Sequence, residues 1–382
     1  MPHRLITLAA LSSLAITTGL ANGCIHDDAQ RVPAFDAGAI DVDGAIPDAS
    51  TPDTGVDSGV PDTGTDAGAP ETGADAGGGT LWVTDDFGGT SPGVLAFSVT
   101  ELAAGGDVAP KTTISGATTT LTGPGCVAFD GSGNLWVVDS PGSKQAGKIL
   151  EFAAASVAAG GDIAPTQTIS GANTTLTNPS GCAFDSSGAL WIANIDSASQ
   201  NVVAFSAAQL ATGGNIAPAI ALGGGCNTID VAFDGTGNLW VANLCTGLQE
   251  FTKADLATSG TPTPVVSIGQ ATGVSSITFD SAGNLWTSLQ GGVNGVTEFT
   301  AGSLADAGTP VATLQISGTG TAMSTPFGVT FANGNLWVAQ QASNALTQFD
   351  VAGLADGGGL APTALVSGAG TKLSSPSFIL FH

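Results

Sequence analysis

The chain has 382 residues, 42% of them apolar, and a formal net charge of −24, with seven lysines and arginines against 31 acids. It can bury a large core, and it holds no basic patch, which excludes nucleic acid or an anionic membrane surface as partner. The acidic excess reads as solubility.

Residues 1–23 carry Arg4, an apolar run from Leu5 to Leu20, then Ala21, Asn22 and Gly23. A basic start, a short apolar run and small residues describe a secretory signal, too short for a committed membrane span. Cys24, directly after Gly23, makes the segment resemble a bacterial lipoprotein signal, although Ala21 stands where that family has Leu. The resemblance implies that Cys24 is lipidated and becomes the mature N-terminus. Ile25 after it, instead of Asp, implies the outer membrane, facing the periplasm or the cell surface. An ordinary signal peptide with an incidental cysteine is the alternative. Residues 24–79 hold twelve acids against Arg31, one aromatic (Phe35) and no hydrophobic period. Such a stretch cannot offset its ordering entropy, so it is expected to be a disordered, extended acidic tether. Its Asp-x-Gly phrases lack the ligand ladder of a calcium loop.

From residue 80 to 382 the chain repeats at intervals of about fifty residues, a period that signals a propeller or solenoid. All six tryptophans fall in a Leu-Trp phrase, at Trp82, Trp136, Trp191, Trp240, Trp286 and Trp337. The second unit predicts strands over 126–129, 135–138, 148–152 and 166–169, with a turn at Asp130-Gly-Ser-Gly between the first two. Four strands per unit without a long helix make a propeller blade. The third-strand Phe and the fourth-strand apolar residue lie seventeen apart in all six units, from Phe97–Ile114 to Phe349–Val366. Five residues after each of those Phe comes Leu102, Val157, Leu210, Leu256, Leu304 or Leu354, expected to plug a short helical turn against the blade edge.

The other two spacings vary: 11 to 16 residues from Trp to third-strand Phe, and 11 or 15 from fourth strand to the next first-strand Phe. In an up-and-down blade these two connections share one face. The variable face is therefore the candidate binding surface on a rigid scaffold. Leu81-Trp82 lacks a first strand before it, and residues 376–382 match a first strand with no Leu-Trp after it. The expectation is an all-β, six-bladed propeller of four antiparallel strands per blade. Its ring is closed by the C-terminal strand pairing into the first blade, leaving no open edge, and each Trp is packed between adjacent blades.

Phrases such as Pro326-Phe-Gly-Val-Thr-Phe-Ala-Asn-Gly-Asn-Leu-Trp-Val-Ala339 and Val231-Ala-Phe-Asp-Gly-Thr-Gly-Asn-Leu-Trp-Val-Ala-Asn243 resemble NHL repeats and the wider TolB-like six-bladed propellers, gluconolactonase and regucalcin among them. Because this fold hosts enzymes, binders and docking modules, function must come from the site. Three residues after each Trp stand Asp85, Asp139, Asn194, Asn243, Leu289 and Gln340. The oxygen-bearing members, Asp85, Asp139, Asn194 and Asn243 foremost, are a candidate calcium set resembling the gluconolactonase metal centre. That family's further ligands have no counterpart here, and the plain reading is a polar rim capping strand ends. Asp130, Asp185, Asp234 and Asp280 are expected to serve turn geometry alone.

The three histidines are His3, His26 and His382, which leaves a Ser-His-Asp or Cys-His arrangement little to work with. No catalytic residue is assigned. Four cysteines remain beside Cys24. In blade four the hairpin register places Cys226 opposite about residue 246, which predicts a Cys226–Cys245 disulfide. Cys126 and Cys182 either face each other across a blade interface or face away, as a second pair or as buried thiols. The function expected is a monomeric, lipid-anchored binding module taking a protein or small ligand at the variable face. A divalent-metal-dependent lactonase or hydrolase is one alternative, and a structural surface protein without a small ligand is another.

Overall fold

The structure, a computed structural model, describes residues 79–382 apart from 86–91, 198, 270–272, 291–292, 306–309, 351–353 and 355–358. The expected signal, lipidation site Cys24 and tether lie outside the described residues. Within them are six sheets, each of four antiparallel strands. The first strands are Pro124–Phe129, Pro179–Phe184, Thr228–Phe233, Val274–Phe279, Pro326–Ala332 and Ile379–Phe381. They touch one another in cyclic order and so ring the axis. The second strands, from Thr80–Asp85 to Asn335–Gln340, carry the Leu-Trp phrases. The chain is a six-bladed β-propeller. Among the described residues no helix is long and apolar enough to cross a membrane.

Ring closure uses both ends of the propeller. Ile379–Phe381 pairs with the first blade through Leu81–Phe381, Trp82–Leu380 and Val83–Ile379. Backbone bonds extend the seam on both sides, from Thr80 N to His382 O at 2.8 Å and from Ser377 N to Thr84 O at 2.9 Å. The joints between blades are aromatic. Five of the six Trp, all but Trp337, meet the first-strand Phe of the following blade edge-on, as in Trp82–Phe129 at 5.2 Å and Trp286–Phe331 at 5.4 Å between ring centroids. Such pairs add about 0.5–1.5 kcal/mol beyond area burial. The plugs also sit as expected: Leu102, Val157 and Leu210 are buried on short helices Val99–Leu102, Ala154–Ala159 and Ala207–Thr212.

The Asp turns do more than shape a hairpin. Asp130 Oδ1 accepts from Ser132 N and Asn134 N, while Oδ2 accepts from Trp136 Nε1 at 2.9 Å. Asp185 and Asp280 hold Trp191 and Trp286 in the same way. In blade one, whose first and second strands are joined by no hairpin turn, and in blade six, whose turn carries Ala332 and Asn333, the indole N–H of Trp82 or Trp337 is buried without a partner. Trp240 is the exception: Asp234 Oδ2 accepts from Asn238 Nδ2, as Asp130 and Asp280 do from Asn134 and Asn284, but the indole N–H is buried without a partner. Asp130→Ala should therefore lose about 1–3 kcal/mol, the cost of an unsatisfied buried donor, read as a lower denaturant midpoint at unchanged slope. Asn333→Ala, in a turn that holds no indole, should lose less.

The outer edges of blades one, two, three and six are fastened by the next blade in the ring. Gly161 N donates to Thr113 O at 2.7 Å and Gly161 O accepts from Ser115 N, so a residue of blade two closes the edge of blade one. Gly161 has φ +87°, open to glycine at no cost. Asp162 beside it accepts from Thr118 N at 2.7 Å. Gly106-Asp107 and Gly214-Asn215 repeat the clasp on their neighbours. The clasp covers the unpaired edge groups that invite aggregation.

Candidate functional site

The rim residues at the ends of the second strands are committed within the fold. Asp139 is fully buried. Its Oδ1 accepts from Thr122 N at 2.8 Å and Gly123 N at 2.9 Å, and its Oδ2 faces Lys148 Nζ at 3.3 Å. Lys148 Nζ also donates to Thr120 O. Asn194 Oδ1 accepts from Thr177 N at 2.6 Å, and its Nδ2 donates to Thr175 O and Gln200 O. Gln340 accepts from Ser324 N, and both oxygens of Asp85 accept from Ser374 N at 2.8 and 3.0 Å. Asn243 accepts from Thr228 Oγ1 at 2.7 Å and donates to Gln249. Asn194 thus ties together the two variable connections beside its strand; Asp85, Asp139 and Gln340 each hold the fourth-to-first connection, and Asn243 bonds the strands on either side of its own. Among the described residues no three His, Cys, Asp or Glu side chains lie close enough to hold a metal ion.

The variable face is less individual than its loop lengths suggest. Four of its fourth-to-first connections contain one 3₁₀ turn, at Ala117–Thr119, Ala172–Thr174, Thr319–Thr321 and Ala369–Thr371. In each, a buried Thr hydroxyl closes the turn, as when Thr119 Oγ1 donates to Gly116 O at 2.7 Å. The other two connections, residues 223–227 and 269–273, are shorter and flank blade four. Blade four also has the shortest second-to-third connection, residues 244–246.

One sector therefore departs from the repeat, over blades four and five. Blade five breaks the rim with Leu289, which is half-buried. Leu244 and Val293, in the second-to-third connections of these two blades, are 40% and 47% exposed. No charged residue occurs in 223–227, 244–246, 269–273 or 290–294, in a chain of net charge −24. Blades two and three differ: there Asp196 Oδ2 accepts from Lys144 N, Ser143 Oγ and Asn178 Nδ2. Burial opposes ionisation of Asp196, but these bonds and the Lys144 charge hold it below the usual carboxylate range. The shorter spacings around blade four and the Leu at position 289 were visible in the sequence; the exposure of Leu244 and Val293 was not.

Both disulfides are present. Cys226–Cys245, Cα atoms 6.0 Å apart, fastens the two loops of blade four on the variable face. Cys126–Cys182, 5.8 Å apart, joins the first strands of blades two and three. This settles the alternative the sequence left open: the two side chains face each other. His382, the one histidine among the described residues, stacks on Phe129 with centroids 4.0 Å apart at the blade joint.

No protein-family model matches this chain, and no curated protein sequence matches it. Solved structures do match in shape. A chain from the crystal structure of a nidogen/laminin complex superposes with a TM-score of 0.53 at 13% identity, covering 80% of this chain and 98% of that one. A candidate 6-phosphogluconolactonase from Bacteroides uniformis gives 0.50 at 14%, covering 80% and 99%. A protein of unknown function from Bacteroides caccae gives 0.54 at 10%, covering 80% and 98%. At these identities the likeness is one of fold, shared by proteins of differing roles: this chain is similar to six-bladed propeller structures without carrying the function of any one of them.

Proposed function

We propose that the propeller is a non-catalytic binding module whose contact surface is the uncharged sector of the variable face over blades four and five. The observation that carries this reading is the joint departure of that sector from the repeat: shortened connections, Leu289 in the rim, and exposed Leu244 and Val293 without a neighbouring charge. Exposed apolar residues on the loops of a rigid scaffold are a docking feature. The partner is a macromolecule with an uncharged, partly apolar surface, and binding should vary little with salt because few ions are displaced.

The donor chemistry weighs against the metal-dependent lactonase. The Asp139 oxygens already accept backbone N–H groups and face an ammonium, a poor offering to calcium, which takes six to eight oxygen ligands. The resemblance to NHL-repeat propellers and the nidogen/laminin likeness agree with a docking role. In this reading Cys24 is lipidated and holds the propeller at the outer membrane by way of residues 25–79.

Site-specific photocrosslinking in the full chain tests the surface, with the probe placed at Leu244, at Val293, or at Val311, which is 72% exposed near the outer strand of blade five. Discrete adducts from Leu244 and Val293, persisting at high salt and missing from Val311, are expected. Adducts equal at all three positions, or from Val311 alone, would place the contact elsewhere.

A further inference from the structure

Three joints between neighbouring first strands have fastenings of their own. Blades two and three share the Cys126–Cys182 disulfide. Blades six and one share the bond from Gly328 N to Ser377 O at 2.8 Å, with Phe327 edge-on to Phe378. Blades four and five share a carboxylate. Asp230, at the bulge of Thr228–Phe233 and 4% exposed, accepts from Ile277 N of blade five at 2.9 Å through Oδ2. Its Oδ1 accepts from Val231 N at 2.8 Å. On the other side lies Gly181 of blade three, where any side chain would collide with this carboxylate. Asp230 thus stands where three blades meet.

We propose that Asp230 is a proton-controlled latch at the joint between blades four and five, closed while its carboxyl is neutral and loosened when it ionises. The strands packed against its own are Pro179–Phe184, Leu190–Asn194, Leu239–Asn243 and Val274–Phe279. None carries a Lys, Arg, His, Asp or Glu, and the one cysteine, Cys182, is in a disulfide. The charge of Asp230 therefore meets no counter-charge, only N–H groups and the Ser276 hydroxyl. Desolvation outweighs those bonds and pushes its pKa up to about 7. An ionised Asp230 can recover hydration only if water enters the joint.

The sign follows from linkage. The folded pKa lies above the unfolded one, so the folded chain holds a proton that the unfolded chain releases from about pH 4. The stability from this group is complete below about pH 4 and is lost as pH rises through about 7. Within that window the folded-to-unfolded ratio should change by up to about tenfold per pH unit. The inference does not depend on the binding surface above the joint.

A carboxyl-detected NMR titration of the wild-type chain tests it directly, assigned by comparison with Asp230→Asn. A midpoint between about pH 6 and 8 is expected for Asp230, together with faster hydrogen exchange at the Ile277 amide above it, beyond the intrinsic rise of exchange with pH. Thermal unfolding between pH 5.5 and 8 should show a falling midpoint in wild type and a flatter one in Asp230→Asn. Burial also raises Glu250 and Glu298 from the usual range, so the difference between the two proteins isolates Asp230. A carboxyl that is ionised down to about pH 4, or an Ile277 amide whose protection ignores the titration, would overturn the latch whether or not the variant folds.

Discussion

A chain ending at Ser375 should lose most of its stability and unfold without a sharp transition. The missing segment supplies the first strand of blade one, although it lies nearly three hundred residues from its pairing partner. Phe378 and Ile379 are 6% and 7% exposed, each worth about 1.5–3 kcal/mol on burial. Lost with them are the ladder to Leu81–Val83 and the bonds at Thr80 and Thr84. The sum is comparable with the about 5–15 kcal/mol that holds a domain together. The strand Thr80–Asp85 would also become an open edge, so aggregation should accompany the loss. Circular dichroism on heating checks this, and a sharp wild-type-like transition would mean that the ring does not need its seam.

Replacing Cys126 and Cys182 by serine should cost about 4 kcal/mol, because the bond closes a loop of 56 residues and restricts the unfolded chain. The Cys226–Cys245 loop is 19 residues, so its loss should cost about 3 kcal/mol. The two also differ in access. Cys126 is 4% exposed at a blade joint, whereas Cys245 is exposed on the variable face. Mild reductant followed by alkylation should label Cys226 and Cys245 first, and Cys126 and Cys182 only as the fold opens. Denaturant midpoints of the two double variants check the ranking.

Architecture was legible in this chain because the Leu-Trp phrase marks one strand per blade and the chain ends hold complementary fragments of a blade. The register was legible too: in blade four it runs through Phe233–Leu239 and Val231–Val241 as expected. What escaped was the bulge between Thr228 and Asp230, which shifts pairing by one residue and brings Cys226 opposite Cys245 in place of residue 246. Four other first strands are bulged at the same level, around Cys126, Cys182, Ser276 and Val329. Alternation of apolar residues carries no sign of a single inserted residue.

The site was read less well, for a physical reason. Asp139 and Asn194 look alike in sequence whether they bind an ion or a backbone, because both uses need an oxygen at a strand end. Only the positions of Thr122 N and Thr177 N distinguish them. The clasp at Gly161-Asp162 did leave a signal, the Gly-Gly-Asp phrase repeated at Asp107 and Asp162 and as Gly-Gly-Asn at Asn215. Loop length misled in turn, since four connections of the variable face share one Thr-closed turn and the individuality gathers around blade four.

The claim that the rim side chains hold loops and not an ion is tested most directly by thermal unfolding of the full chain in calcium and in EDTA, with elemental analysis of the purified protein. An ion bound to the native state must raise the midpoint with its concentration. The rim geometry predicts the same midpoint in both solutions, no stoichiometric metal, and an Asp139→Asn variant that melts lower in each by the same amount. A midpoint that rises with calcium, collapses in EDTA and loses that response in Asp139→Asn would contradict it and return the rim to metal-dependent chemistry.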